Sequence, residues 1–103
     1  MTYQDLEPKE FKAAYENTPD AVLIDVRTPA EIAVSNIEGH IDINFNDASF
    51  PGKILEIDKD KTLFIYCRSG NRSGQACRFL ATKGYTKLVN LKGGILAWDQ
   101  TDF

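Results

Sequence analysis

The chain is poor in the residues that staple small proteins together. Of 103 residues two are cysteine, Cys67 and Cys77, and one is histidine, His40. Two cysteines make no disulfide framework, and with a single histidine they supply neither the number nor the spacing of zinc ligands. No structural metal and no cofactor are expected. Nowhere do about 18 apolar residues run together, as a spanning helix requires. The opening Met1-Thr2-Tyr3-Gln4-Asp5 also lacks the basic-then-apolar pattern of a secretory signal. The expectation is a cytoplasmic protein without a membrane partner. Internal repeats and low-complexity segments are absent too. With 43% hydrophobic residues the chain can bury one core and little else, so one domain over residues 1–103, a monomer, is expected.

Acidic residues are missing from a long stretch. Residues 61–98 hold no Asp or Glu but seven basic side chains (Lys61, Arg68, Arg72, Arg78, Lys83, Lys87 and Lys92), whereas residues 1–60 hold thirteen acidic and five basic ones. The net charge of −3 conceals this separation. One reading is a solvated surface whose signs sort by accident; the other is a field that draws small anions to the basic part. Nucleic acid is not an expected partner, because the chain is acidic overall and carries no DNA- or RNA-binding motif.

What is present alternates between helical and strand-like patterns. Pro8 suits a first helical position, and Leu6, Phe11, Ala14 and Tyr15 share a helical face that Asn17-Thr18-Pro19-Asp20 closes. Ala21-Val22-Leu23-Ile24 is a continuous apolar run, as in a strand buried on both faces of a parallel sheet. Thr28-Pro29-Ala30-Glu31 reads as a capping box that opens a short helix to about Val34. Ile41, Ile43 and Phe45 alternate with polar residues and suggest a short edge strand, followed by a helix over Lys53–Asp58 and a turn at Asp58-Lys59-Asp60-Lys61. Leu63-Phe64-Ile65-Tyr66 is a second apolar strand, Gly84 stops a helix, and Leu88-Val89-Asn90-Leu91 is a further strand. Strands separated by helices imply right-handed crossovers and an α/β fold: a central, mainly parallel sheet flanked by helices.

Cys67 falls at the carboxyl end of a strand, where such sheets bind ligands. It opens the loop Cys67-Arg68-Ser69-Gly70-Asn71-Arg72-Ser73-Gly74, before a helix expected from Gln75 onward. A loop rich in Gly and Ser running into a helix turns successive N–H groups inward, a nest that stabilises negative charge, including that of a thiolate. Arg68 and Arg72 add to the effect. Arg72 follows Cys67 after four residues, one fewer than in the phosphate-wrapping loop of cysteine phosphatases, so the cradle is expected to be tighter.

These residues resemble a family. Cys67-Arg68-Ser69-Gly70-Asn71-Arg72-Ser73 looks like the active-site loop of rhodanese-like domains, which carry sulfane sulfur as a persulfide on the loop cysteine. Leu23-Ile24-Asp25-Val26-Arg27 with Glu31 is similar to the family's Asp-Val-Arg signature, Glu38-Gly39-His40-Ile41 to its Gly-His-Ile segment, and Leu91-Lys92-Gly93-Gly94-Ile95-Leu96-Ala97-Trp98 to its closing signature. After Gly-His-Ile the family usually continues Pro-Gly-Ala, while this chain reads Ile41-Asp42-Ile43-Asn44-Phe45 and is shortened. The resemblance implies a thiosulfate sulfurtransferase of the single-domain type. Cys67 is then the catalytic nucleophile, and Arg68, Ser69, Gly70, Asn71, Arg72 and Ser73 bind the anionic donor. The acceptor is cyanide or a thiol, including that of a small redox protein.

Competing readings follow from single residues. Cys77, inside the helix, is read as a small buried residue; a resolving thiol would have to reach Cys67 across a strand end, a loop and a helical turn. Arg72 either holds the donor or turns back to brace the loop. Asp25 and Arg27 are read as scaffold, through an Arg27–Glu31 pair or an Asp25–backbone bond. His40 belongs to a turn rather than to catalysis, Tyr66 and Trp98 to packing, and Gly93-Gly94 to a tight backbone path beside the loop. A phosphatase or arsenate reductase calls for a longer loop and a histidine in place of Tyr66. A regulatory or interaction module would more typically lack the cysteine.

Overall fold

The apolar runs have no polar face to offer water, and the computed structural model, which describes residues 2–103, places them side by side at the centre of a sheet. The order along the chain is β1 (Gln4–Leu6), α1 (Pro8–Glu16), β2 (Ala21–Asp25), α2 (Pro29–Val34), β3 (Ile41–Asp42), α3 (Phe50–Ile54), β4 (Thr62–Tyr66), α4 (Asn71–Thr82), β5 (Leu88–Leu91) and α5 (Gly94–Asp99). The five strands pair in the order β1-β5-β4-β2-β3, every pair parallel. All carboxyl ends therefore lie along one edge, and Cys67 directly follows the central strand β4.

Alternation along β4 divides the core. Leu63, Ile65 and Cys67 point to one face, where Ala76, Cys77 and Leu80 of α4 and Phe50 and Ile54 of α3 cover them. Phe64 and Tyr66 point to the other, against Phe11 of α1 and Ile95 of α5. Phe64 meets Phe11 edge-on at 5.4 Å between ring centroids and Tyr15 at 5.5 Å. Trp98 adds an edge-on contact to Phe11. Among the described residues no helix is long and apolar enough to cross a membrane.

The structure departs from the sequence pattern in four places. Gln4–Leu6 forms a strand, so Leu6 belongs to β1 and not to the face of α1. The expected edge strand is shorter: Ile41 and Asp42 pair in register with β2, and beyond them Ile43 N and Phe45 N donate to Asp25 O at 3.0 Å and Val26 O at 2.9 Å. Helix α3 occupies Phe50–Ile54 rather than Lys53–Asp58; Pro51, with its preset φ and no N–H to satisfy, sits in its first turn. Most important for the site, α4 begins at Asn71 and not at Gln75, because Gly70 adopts φ +96° and Gly74 N already donates to Gly70 O at 3.0 Å. The true loop is Cys67–Gly70.

Phe64 is 1% exposed at the centre of one face. Phe64→Ala is expected to cost about 3–5 kcal/mol, a large part of a small domain's stability. Urea unfolding measures it as a lowered midpoint at unchanged slope.

Candidate active site

Cys67 is 1% exposed, not the exposed loop thiol its position in a turn suggests. It is buried because Ala76, Cys77 and the strand-end residues pack around it, and its sulfur receives donors from the loop it opens. Gly70 N donates to Cys67 Sγ at 3.1 Å, and Ser73 Oγ lies 3.2 Å from the same sulfur. The N–H groups of Asn71, Arg72 and Ser73 occupy the first turn of α4, where no intrahelical carbonyl is available to them. Donors and helix end together direct partial positive charge toward the sulfur.

Turning N–H groups inward turns carbonyls outward, and α5 receives them. Ile95 N donates to Cys67 O at 2.9 Å and Leu96 N to Arg68 O at 3.1 Å. This approach is the reason for Gly93-Gly94. A Cβ on Gly94 would stand 2.6 Å from Cys67 O and closer still to Arg68 O, and φ there is +62°.

The two arginines divide their work. Arg72 makes a bidentate pair with Glu31, Nη1 to Oε1 at 2.9 Å and Nη2 to Oε2 at 2.8 Å, so it turns back to brace the loop on α2. Its pKa is raised first by that carboxylate, against the opposing effect of burial, and further by the nearby Cys67. Arg68 is exposed and has no ion pair among the described residues. It lines a groove of about 200 Å³ with Val34, Ser35, Leu96 and Asp99. Ser69 is exposed, and Asn71 directs its Oδ1 to Gln75 Nε2 at 2.7 Å along the helix. Of the expected loop residues, then, Gly70 and Ser73 touch the sulfur, Arg72 braces, Arg68 faces the groove, and the side chain of Asn71 is engaged elsewhere.

Of the two scaffold contacts expected as alternatives, the Arg27–Glu31 side-chain pair is not formed, whereas the Asp25–backbone bond is: Arg27 N donates to Asp25 Oδ1 at 3.0 Å. Arg27, 3% exposed, pairs instead with the buried Asp25, Nη2 to Oδ2 at 2.6 Å and Nε to Oδ1 at 3.0 Å, and its remaining donors reach the carbonyls of Glu31 and Ser35. Glu31 is thereby freed for two tasks. Its Oε1 accepts from Thr28 N in the capping box and from Arg72, which ties the start of α2 to the start of α4. Sequence spacing cannot place a partner 41 residues away, so this role was hidden behind the local capping motif.

Cys77 is fully buried, and burial pushes its thiol up to about 12. Tyr66 is core, its hydroxyl accepting from Ile37 N at 3.1 Å and its phenol raised by burial. His40 pairs with Asp42 and makes no hydrogen bond to Cys67. Among the described residues no three His, Cys, Asp or Glu side chains converge as a metal site would.

Two outcomes test the bracing. The Arg72 guanidinium holds the Glu31 carboxyl at about 2, below its ordinary 4.5. A depressed folded-state pKa contributes stability above the unfolded value and loses it as pH falls, so the pair's contribution should disappear between about pH 4.5 and 2. Glu31→Gln is expected to flatten that part of the stability–pH curve and to cost about 1 kcal/mol at neutral pH, read by denaturant unfolding. Gly94→Ala is expected to cost about 2 kcal/mol or more and to slow alkylation of Cys67, since the loop must shift to admit the methyl group.

A family model described as Rhodanese-like domain matches residues 7–101. A protein of Allochromatium vinosum named sulfurtransferase is 40% identical over 94 residues, covering 91% of this chain and 86% of its own. The Bacillus subtilis protein YtwF is 35% identical over 99 residues, covering 96% of this chain and 93% of its own. Among solved structures, a rhodanese-related protein of Thermoplasma volcanium superposes with a TM-score of 0.81 at 26% identity, covering 95% of this chain and 92% of that one. The cradle around Cys67 sits within the matched span, and the protein belongs to the rhodanese-like domain family.

Proposed function

We propose that the protein is a sulfurtransferase that moves sulfane sulfur from an anionic donor such as thiosulfate to a thiophilic acceptor through a persulfide on Cys67. The observation that carries this reading is the pair of donors at the Cys67 sulfur, Gly70 N at 3.1 Å and Ser73 Oγ at 3.2 Å, at the mouth of a helix with unfilled N–H groups. A reacting sulfur held this way is favoured as an anion, and so is a terminal persulfide sulfur seated above it.

The Cys67 thiolate attacks the outer sulfur of thiosulfate. A Cys67 sulfur–sulfur bond forms, the donor's sulfur–sulfur bond breaks, and its electron pair leaves with sulfite. Cyanide or a thiolate then attacks the terminal sulfur and returns the Cys67 thiolate. Each step forms one bond with the attacking lone pair and breaks one whose pair leaves with the departing group, so the balance requires no outside oxidant. Arg68, unpaired and beside the groove, orients the anionic donor and the departing sulfite. Arg72 contributes its charge from behind while Glu31 holds it in place.

Four residues between Cys67 and Arg72 make a cradle suited to a single sulfur atom rather than a phosphoryl group. Thiosulfate treatment is expected to add the mass of one sulfur to the peptide bearing Cys67, and aryl phosphates to remain untouched. An unmodified Cys67 after treatment would leave a binding module as the better account. Cys67→Ser is expected to abolish sulfur transfer at a stability cost of only about 1 kcal/mol, because the hydroxyl fits the same space and the same donors. Cys77→Ala is expected to keep most of the activity.

A further inference from the structure

Strand β5 carries an amide where the core offers no obvious use for one. Asn90 is 3% exposed, in a strand otherwise made of Leu88, Val89 and Leu91, and it lies opposite Ile65 of β4 on one side and Asp5 of β1 on the other. Its Nδ2 donates to Asp5 Oδ1 at 3.0 Å and to Gly70 O at 3.3 Å. Two acceptors at one end fix which end is nitrogen. The other end, Oδ1, is buried and accepts no hydrogen bond from the protein. An apolar side chain would avoid that loss, so what the amide contributes must lie at its donating end.

That end holds the loop's most permissive residue. Gly70, at φ +96°, has access to backbone conformations closed to other residues, and its own N–H is the donor to Cys67 Sγ. Its carbonyl belongs to the peptide that also carries the Asn71 N–H into the first turn of α4. Gly74 N restrains this carbonyl from within the helix; Asn90 restrains it from the sheet. Asp5 in turn fixes the Asn90 amide with a charge-assisted bond. Asp5 stands on β1, before the span 7–101 matched by the family model.

We propose that Asn90 and Asp5 are positioning residues for sulfur uptake: they hold Gly70 in the left-handed conformation that aims its N–H at Cys67. The proposal rests on the persulfide reading above. It predicts that loss of either residue slows attack by the sulfur without weakening capture of the donor, because neither lines the groove beside Arg68 that is proposed to orient it. Asp5 meets Asn90 through one carboxylate oxygen, Oδ1, which accepts from Nδ2 at 3.0 Å. Its use is then the hydrogen bond, and a neutral acceptor would serve as well.

The test compares the full chain with Asn90→Leu, Asp5→Ala and Asp5→Asn. Single-turnover persulfide formation is followed by mass spectrometry against thiosulfate concentration, and alkylation of Cys67 by iodoacetamide is timed in parallel. Asn90→Leu is expected to lower the maximal rate about ten-fold, the loss of one well-placed hydrogen bond in the attacking state, with the half-saturating thiosulfate concentration unchanged. Asp5→Ala is expected to lower it about three-fold, and Asp5→Asn to restore the parent rate. A folded Asn90→Leu protein with the parent rate, a change confined to the half-saturating concentration, or Asp5→Asn as slow as Asp5→Ala would overturn the proposal. Should Asn90→Leu not fold, the two Asp5 variants, on a half-buried edge strand, decide alone. A parent protein that forms no persulfide overturns the sulfurtransferase reading instead; the alkylation rates then still decide on Asn90 and Asp5, by the same order of variants.

Discussion

A loop that turns its Gly70 N–H toward a sulfur must turn carbonyls away from it, and those carbonyls need donors of their own. In this protein the start of α5 provides them: Ile95 and Leu96 give their N–H groups to Cys67 and Arg68. The contact works only if α5 comes within reach of the loop backbone, which leaves no room for a side chain at Gly94. The cradle, the glycine pair and the orientation of α5 are thus one solution to one accounting problem. Without it the sulfur's donors would have no fixed direction.

Charge is handled by the same economy of direction. Asp25 and Arg27 are both buried and would be costly separately; paired at 2.6 Å, with the remaining guanidinium donors on carbonyls of Glu31 and Ser35, they tie the end of β2 to both ends of α2. The result is a fixed platform for Glu31, which reaches across to Arg72 on α4. Two ion pairs that share no partner side chain therefore stand in series between the sheet and the active loop. The outer pair is half-buried and answers to pH; the inner one is sealed.

Much of this was legible in the sequence. Continuous apolar runs identified β2 and β4 as central strands, the Thr28–Glu31 spacing identified the start of α2, and the strand–Cys–loop–helix order placed Cys67 at the carboxyl edge of a parallel sheet. What escaped was set by tertiary contact. Gln4–Leu6 is three residues long and is a strand because β5 offers it an edge, with no periodicity of its own to announce it. The start of α4 depends on one positive φ at Gly70, which moves four residues from the loop into the helix. Glu31 satisfied a local rule so completely that its distant partner left no trace, and Asn90 reads as a turn-forming residue inside an apolar strand until Gly70 is seen above it.

The burial of Cys77 decides how the site ages. A cysteine oxidised to a sulfenic acid is rescued when a second thiolate condenses with it and is lost when a further oxidation comes first. Cys77 is enclosed and, with its thiol up at about 12, stays protonated at neutral pH, so it offers no thiolate for that rescue. Both cysteines are buried, and among the described residues Cys67 alone receives donors at its sulfur. Rescue of an oxidised Cys67 by Cys77 is therefore not expected.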